Sequence, residues 1–416
     1  MSRRRRWQPV RGTGNRVYDW RERLALGLVD LPGRAAAALG RGLGLAGETP
    51  ASEPRALREV LVLRLDRIGD VLMCLPALRE LRAALPQARI RLAVGRWSEE
   101  VARSAPVDEV LTWSAPWVGR AEEGADGPRE LWRKARGVVR PDLALDLQGD
   151  VRSCFLMWLT GAPLRVGYAN TGGGYLLTHV LPLDETVSWV EQNRRAVAQV
   201  AGAVPGTAPA SILSAAERGG ATELLRGLGL QGRRPLIAIH PSGGRRIKQW
   251  EPSRWAVVAS RLQRDFGAAV LFTGSPADRP LVAAASRGLA EPAVDLSGRL
   301  SVRETLALIA ALDLFLSCDT GPMHMACAVG TPSVSVFGPS DPVRYFSGSQ
   351  LDPGGRHVVV RMDLWCSPCN LIRRPPAECL GPSGPECLAL VSADEVYRAA
   401  AGLLAGPTGA PPKAGP

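Results

Sequence analysis

The sequence predicts an α/β protein built from two doubly wound, parallel domains. Strand-like runs rich in Val, Ile and Leu alternate with helix-spaced segments from Glu59 onward, pause in a Gly/Pro/Ala-rich stretch at about 202–212, and resume near Arg233. The length of 416 residues suits two or three domains. With 46% hydrophobic and 22% charged residues, the composition excludes collagen-like, wholly disordered and disulfide-scaffold chains.

The first series opens with the strand "EVLVLRL". In "GDVLMCLPALRELRAALP", Leu72, Leu75, Leu78, Leu81 and Leu85 mark one helix face, and the strand "RIRLAV" completes a βαβ unit. A further strand, "DLALDL", ends at Gln148–Gly149 and runs into a helical segment through Leu156. The second series reads as strand "LIAIH", helix from Pro252 to Phe266, strand "AVLFTG", helix from Asp278 and strand "AVDL". It continues with a helix from Val302, strand "LFLSC", a short helix from Pro322 and strand "SVSVFG". The expected divisions are a basic N-terminal extension at 1–58, domains at 59–212 and 213–390, a C-terminal helix at 391–405 and a disordered tail at 406–416.

The net charge of +11 raises the question of an anionic partner. Residues 1–58 hold twelve Arg against five acids, or +7, so the body is only mildly basic. Within the extension, Val17, Trp20, Leu24, Leu28 and Leu31 recur at helical spacing among arginines. This suits a basic amphipathic helix on an anionic membrane surface, a partly disordered basic tail or a helix packed on the body. No fold for reading bases accompanies the basic segment, so nucleic acid is not an expected partner. No run of about eighteen apolar residues is present, and no signal-type apolar core follows the Arg-rich start. The expectation is a cytoplasmic protein, with a peripheral contact on the inner face of the cell membrane through 1–58.

In doubly wound sheets, ligands bind beyond the carboxyl ends of the strands, so the chemistry is sought in the loops there. "RLDRIGD" offers Asp70 at a helix start, with Gly69 permitting close approach; an Asp there is also an ordinary helix cap. "HPSGGRRIKQW" places Ser242, Gly243 and Gly244 where amides can face phosphate oxygens, and Lys248 follows. Only three of the 51 cations are lysines, so a lysine kept here suggests a need for a compact ammonium. "SCDTGPMHMA" gathers Asp319, Thr320 and Gly321 at a helix N-terminus, with His324 one turn inside as either a site residue or core packing. "FTGSPADRP" adds Asp278, for which a capping role is equally natural.

The sequence holds no Asp-x-Asp pair, GxSxG or HExxH, and no dinucleotide GxGxxG opens either α/β unit. Cys74, Cys154, Cys318 and Cys327 lie in apolar segments and read as buried thiols. Cys366, Cys369, Cys379 and Cys387 are bunched as C-x2-C-x9-C-x7-C, a spacing compatible with a structural zinc or iron site, reduced thiols or disulfides.

Taken together, "VLVLRLDRIGDVLMCLPALRELRAALPQARI", "IAIHPSGGRRIKQWEPSRWAVVASRL" and "LDLFLSCDTGPMHMACAVGTPSVSVFGPSDP" resemble the bacterial heptosyltransferases of glycosyltransferase family 9, over about 59–400. The resemblance implies the GT-B fold, two Rossmann-like domains facing across a cleft, and an inverting, metal-independent transfer of a heptose from ADP-heptose to a saccharide or lipid-linked saccharide such as lipopolysaccharide core. By the same resemblance Asp70 matches the catalytic base. Ser242, Gly243 and Lys248 match the group around the leaving diphosphate, and Asp319, Thr320, Gly321 and His324 match the D-T-G-x-x-H element at the donor. Asp278 is a further donor-side candidate, while Arg67, Gly69 and Gln148 fall on the acceptor side. No cofactor is implied for catalysis. The chain departs from the family core in its extension, in "KQWEP" after the glycines and in its cysteine cluster. That cluster resembles one in a branch that modifies proteins and holds iron. Alternatives are therefore a protein acceptor, or an inactive nucleotide-binding partner in surface-polymer assembly.

Overall fold

The computed structural model describes residues 57–118, 124–202, 211–351, 356–369, 379 and 384–405, together with helical positions 24, 27, 28, 30–33, 35, 38 and 39. Val17, Trp20, most of the 202–212 connection and the 406–416 tail lie outside the described residues.

Two six-stranded, parallel sheets form the protein, as the alternating pattern predicts. The first has the order β3-β2-β1-β4-β5-β6. Its strands are β1 (Glu59–Arg64), β2 (Arg89–Val94), β3 (Glu109–Thr112), β4 (Leu143–Asp146), β5 (Leu164–Gly167) and β6 (His179–Val180). The second has the order β12-β11-β10-β7-β8-β9. It comprises β7 (Leu236–His240), β8 (Ala269–Phe272), β9 (Val294–Asp295), β10 (Leu314–Cys318), β11 (Ser333–Phe337) and β12 (His357–Arg361). In each sheet the order reverses beside the first strand, at β1/β4 and β7/β10, and such reversals open a crevice at the strand ends.

The helices used below are α1 (Ile68–Leu72), α2 (Leu75–Ala84), α3 (Pro128–Gly137), α4 (Val151–Leu159), α5 (Trp189–Ala201) and α6 (Ala215–Gly227). They continue with α7 (Pro252–Phe266), α8 (Arg279–Ala285), α9 (Val302–Ala310), α10 (Gly321–Val329) and α11 (Ala393–Ala405). The single helix expected after "RLDRIGD" is divided: α1 stops at Leu72 and α2 begins at Leu75. Pro76 causes the break, because it has no N–H to give the Leu72 carbonyl and its ring crowds the preceding turn.

An apolar core runs without interruption between the sheets, from Val60, Leu78 and Ile90 to Leu236, Leu271 and Phe315. Arg303 on α9 pins the two halves. Its backbone N–H donates to Glu100 at 3.1 Å, and its guanidinium donates to Glu217 of α6 at 2.6 Å and to the Ile212 carbonyl at 2.9 Å. The domains thereby face each other with α1 opposite α10. No helix among the described residues is long and apolar enough to cross a membrane.

Candidate active site

The site lies where α1, from the end of β1, meets α10, from the end of β10. A Cβ on Gly69 would stand 2.5 Å from the His324 Cδ2, and one on Gly321 would stand 3.6 Å from the Ile68 Cβ. Glycine at 69 is therefore what lets the two helix starts touch. Gly69→Ala is expected to force α1 away from α10, because His324 is buried and tied to Ser347 and cannot yield. Displacing a reacting group by about 1 Å costs about 10²-fold in turnover. A steady-state assay that found Gly69→Ala as fast as the parent would show that transfer does not need this contact.

Asp70 is not the helix cap. Arg67 occupies that position, and Asp70, the third residue of the helix, reaches back to accept from the Arg67 N–H at 3.2 Å through Oδ2. Its Oδ1 accepts from Arg64 Nη2 at 3.1 Å, leaving the carboxylate 23% exposed at the cleft. Arg64 is almost fully buried, and it also faces Asp66 at 3.4 Å, donates to the Leu147 carbonyl and lies over the Trp189 ring. Beneath it, burial pushes the Asp146 carboxyl up to about 7, although the Gln148 and Gly149 amides donate to it. Sequence reasoning does not single out Arg64 or Asp146. The one available signal is an arginine at the end of a strand otherwise made of buried aliphatics.

On the opposite wall, Lys248 Nζ meets Asp319 Oδ2 at 2.6 Å, with the lysine side chain 15% and the aspartate 6% exposed. Gly243 packs against the Lys248 backbone so closely that a Cβ would stand 2.5 Å from its carbonyl. Ser242 is buried and donates to Asp278, and its Oγ accepts from the Gly244 N–H. Asp278 has the capping geometry expected of it, accepting from the Ser275 N–H at 2.8 Å and Oγ at 2.6 Å. Burial would raise its pKa, but these donors and Ser242 hold it below the usual carboxylate range. Thr320 caps α10 by position, and no side-chain bond closes that cap.

His324 joins the two walls. Its Nδ1 bonds Ser347 Oγ at 2.7 Å, and the ring is close enough to Asp319, Asp70 and Lys248 to feel all three charges. Burial lowers its pKa to about 4, with the two aspartates opposing and Lys248 assisting, so the imidazole is neutral at pH 7. His240, bonded to Thr273, is likewise lowered to about 4 by burial. Both folded values lie below the ordinary 6.5, so these rings stabilise the fold above that pH and lose this contribution as pH falls toward 4. Proton titration by NMR is expected to give midpoints of about 4 for both rings. A midpoint near 6.5 for His324 would mean that water reaches the ring and that the α1–α10 contact is open.

The acceptor-side residues divide. Arg67 packs over Trp97 and donates to the Val118 carbonyl at 2.9 Å, which gives it a structural task. Gln148 accepts at its carbonyl from Asn170 and keeps a buried Oε1 without a partner.

The four-cysteine metal site is not assembled. Cys387 is buried in the core of the second domain beside Leu388, while Cys366 is exposed. Among the described residues, no three His, Cys, Asp or Glu stand close enough to hold a metal ion. The thiols do sense one another: burial and then Cys369, Cys379 and Cys366 push Cys387 up to about 11. Cys74, Cys154, Cys318 and Cys327 are buried thiols, as their apolar segments predict.

A family model described as glycosyltransferase family 9 (heptosyltransferase) matches residues 129–375, more than half of the chain. A lipopolysaccharide core heptosyltransferase, OpsX, from Haemophilus influenzae is 24% identical over 71% of this chain and 84% of its own length. Among solved structures, a glycosyl transferase family 9 protein from Veillonella parvula superposes with a TM-score of 0.70 at 23% identity, covering 85% of this chain and 99% of that one. The ADP-heptose LPS heptosyltransferase II of E. coli gives 0.64 at 23% identity, over 83% and 98%. Both likenesses support a two-domain, GT-B arrangement of Rossmann-like units.

Proposed function

The chain belongs to glycosyltransferase family 9, the heptosyltransferases, and from that membership we propose that it moves a heptose from ADP-heptose to a saccharide of the lipopolysaccharide core type, with inversion. The observation that carries this reading is the meeting of Asp70, His324, Lys248 and Asp319 in one cleft between the domains. The names of two similar proteins support the substrates: one acts on lipopolysaccharide core, and the other is described by ADP-heptose.

In this reading Asp70 takes the proton of the acceptor hydroxyl as its oxygen attacks the anomeric carbon. The bond to the diphosphate breaks in the same step, and ADP leaves with the electron pair. Lys248, the amides of the Ser242–Gly244 loop and those at the start of α10 receive the charge that grows on the diphosphate. His324, being neutral, holds donor oxygens by hydrogen bonding without adding charge. The transfer needs no cofactor, so a chelator is expected to leave the rate unchanged.

The test is ADP release from ADP-heptose in the presence of heptose-deficient lipopolysaccharide core. ADP binding without release for any saccharide acceptor would sink the reading in favour of a non-catalytic binding partner. The protein acts at the inner face of the cell membrane, which its basic extension at 1–58 contacts.

A further inference from the structure

The N-terminal helical segment is docked with its apolar side outward. Asp30 is buried and accepts from the Gly173 N–H at 2.7 Å, while Gly33 sits so close to Tyr175 that a Cβ would stand 2.2 Å from the ring. Asp30 and Gly33 thus fall on the body side. Leu24, Leu28, Leu31 and Leu39, spaced at four, three and eight residues, fall on the other side and are 59–70% exposed. An amphipathic helix of a globular protein normally turns its leucines to the core, and this one turns a glycine and an aspartate there instead.

The same region of the first domain exposes aromatics. Phe155 and Trp158 on α4 are 46% and 49% exposed and stack on each other with centroids 5.7 Å apart. They flank the helix, because Gly173, which holds Asp30, packs on Val151 and Cys154 of α4. Beside α4 runs α3, which exposes Trp132 among Arg129, Arg136 and Arg133, the last of these paired with Glu130 on the same helix. Arg140 ties the ends of the two helices by donating to the Gly161 carbonyl at 2.8 Å.

We infer that the leucine stripe, the Phe155–Trp158 pair and the arginine face of α3 form one surface that seats the first domain on an anionic bilayer. Leucines and aromatic rings enter the headgroup boundary while arginines meet the phosphates, and this combination fits a lipid surface. A second copy of the chain fits poorly, since a two-fold contact through this face would set arginines against arginines. The inference starts from the membrane contact proposed for 1–58 and extends it onto the folded body.

The experiment is sedimentation of the full chain with phosphatidylglycerol-containing vesicles and with pure phosphatidylcholine vesicles, at low and high salt. The wild type is expected to bind only the anionic vesicles, and less so in high salt. Phe155→Gln with Trp158→Gln should weaken that partition about tenfold, and Arg129→Gln with Arg133→Gln and Arg136→Gln should measurably reduce its salt dependence, the remainder coming from the arginines of 1–58. Transfer to a water-soluble acceptor should persist in both variants, which shows that they remain folded. If the aromatic variant partitions like the wild type while Leu24→Gln with Leu28→Gln and Leu31→Gln does not, the body surface is wrong and the extension alone binds. If neither set weakens partition, both readings fall. Light scattering that showed a wild-type dimer dissociated by the aromatic changes, without vesicle binding, would also overturn the inference.

Discussion

Asp70→Asn is expected to lower turnover in heptosyl transfer by about 10³-fold, within the span that a positioned general base contributes. The substitution keeps the shape of the side chain and removes its ability to take a proton. The local fold should survive, because Arg64 keeps Asp66 and the Leu147 carbonyl when the Asp70 charge is lost. Binding of ADP should be unchanged, since the loops proposed to hold the donor sit on the opposite wall. Single-turnover transfer and calorimetry with ADP check the two halves separately. An Asp70→Asn variant as fast as the parent would move the base elsewhere, with Asp66, 17% exposed and on the same arginine, the next carboxylate to test.

The sequence is most informative where buried strands and helix caps coincide. Residues 252–266 are legible to both ends because Pro252 opens the helix and Gly267 closes it with a φ of 64°. The strands β3 and β6 escape the pattern because they are short, lie at the sheet edges and keep no fully buried residue, and the edge strand β12 escapes it although Val358–Val360 form an apolar run, since none of its residues is fully buried. Asp70, Lys248, Asp319 and His324 can be named because each follows a strand. Their mutual placement cannot be read, since it depends on packing between two domains. Ser347 fixes the His324 ring from a loop 23 residues away, and nothing in its own neighbourhood announces that. The cysteine spacing is legible, but spacing alone does not bring the thiols within reach of one metal ion, and among the described residues no three of them stand that close. The rarity of lysine is also a weaker signal than it first looks. Lys134, another of the three, bonds Asp126 and the Thr112 carbonyl in an ordinary structural pair, far from the cleft.

Lys248→Ala is expected to fail in two ways that a second substitution separates. Removing the ammonium leaves the Asp319 carboxylate, 6% exposed, without its partner at 2.6 Å. Breaking a buried ion pair from one side costs about 3 kcal/mol or more, which urea or thermal unfolding will read. It also removes the point charge proposed to face the leaving diphosphate, and on that proposal turnover should fall by about 10²- to 10³-fold, as for loss of one preorganised electrostatic group. The double variant Lys248→Ala with Asp319→Asn no longer buries an unpaired charge, so most of the lost stability should return while transfer stays depressed. If transfer recovers together with stability, Lys248 serves only to neutralise Asp319, and the charge on the departing ADP must be met by the loop and helix amides alone.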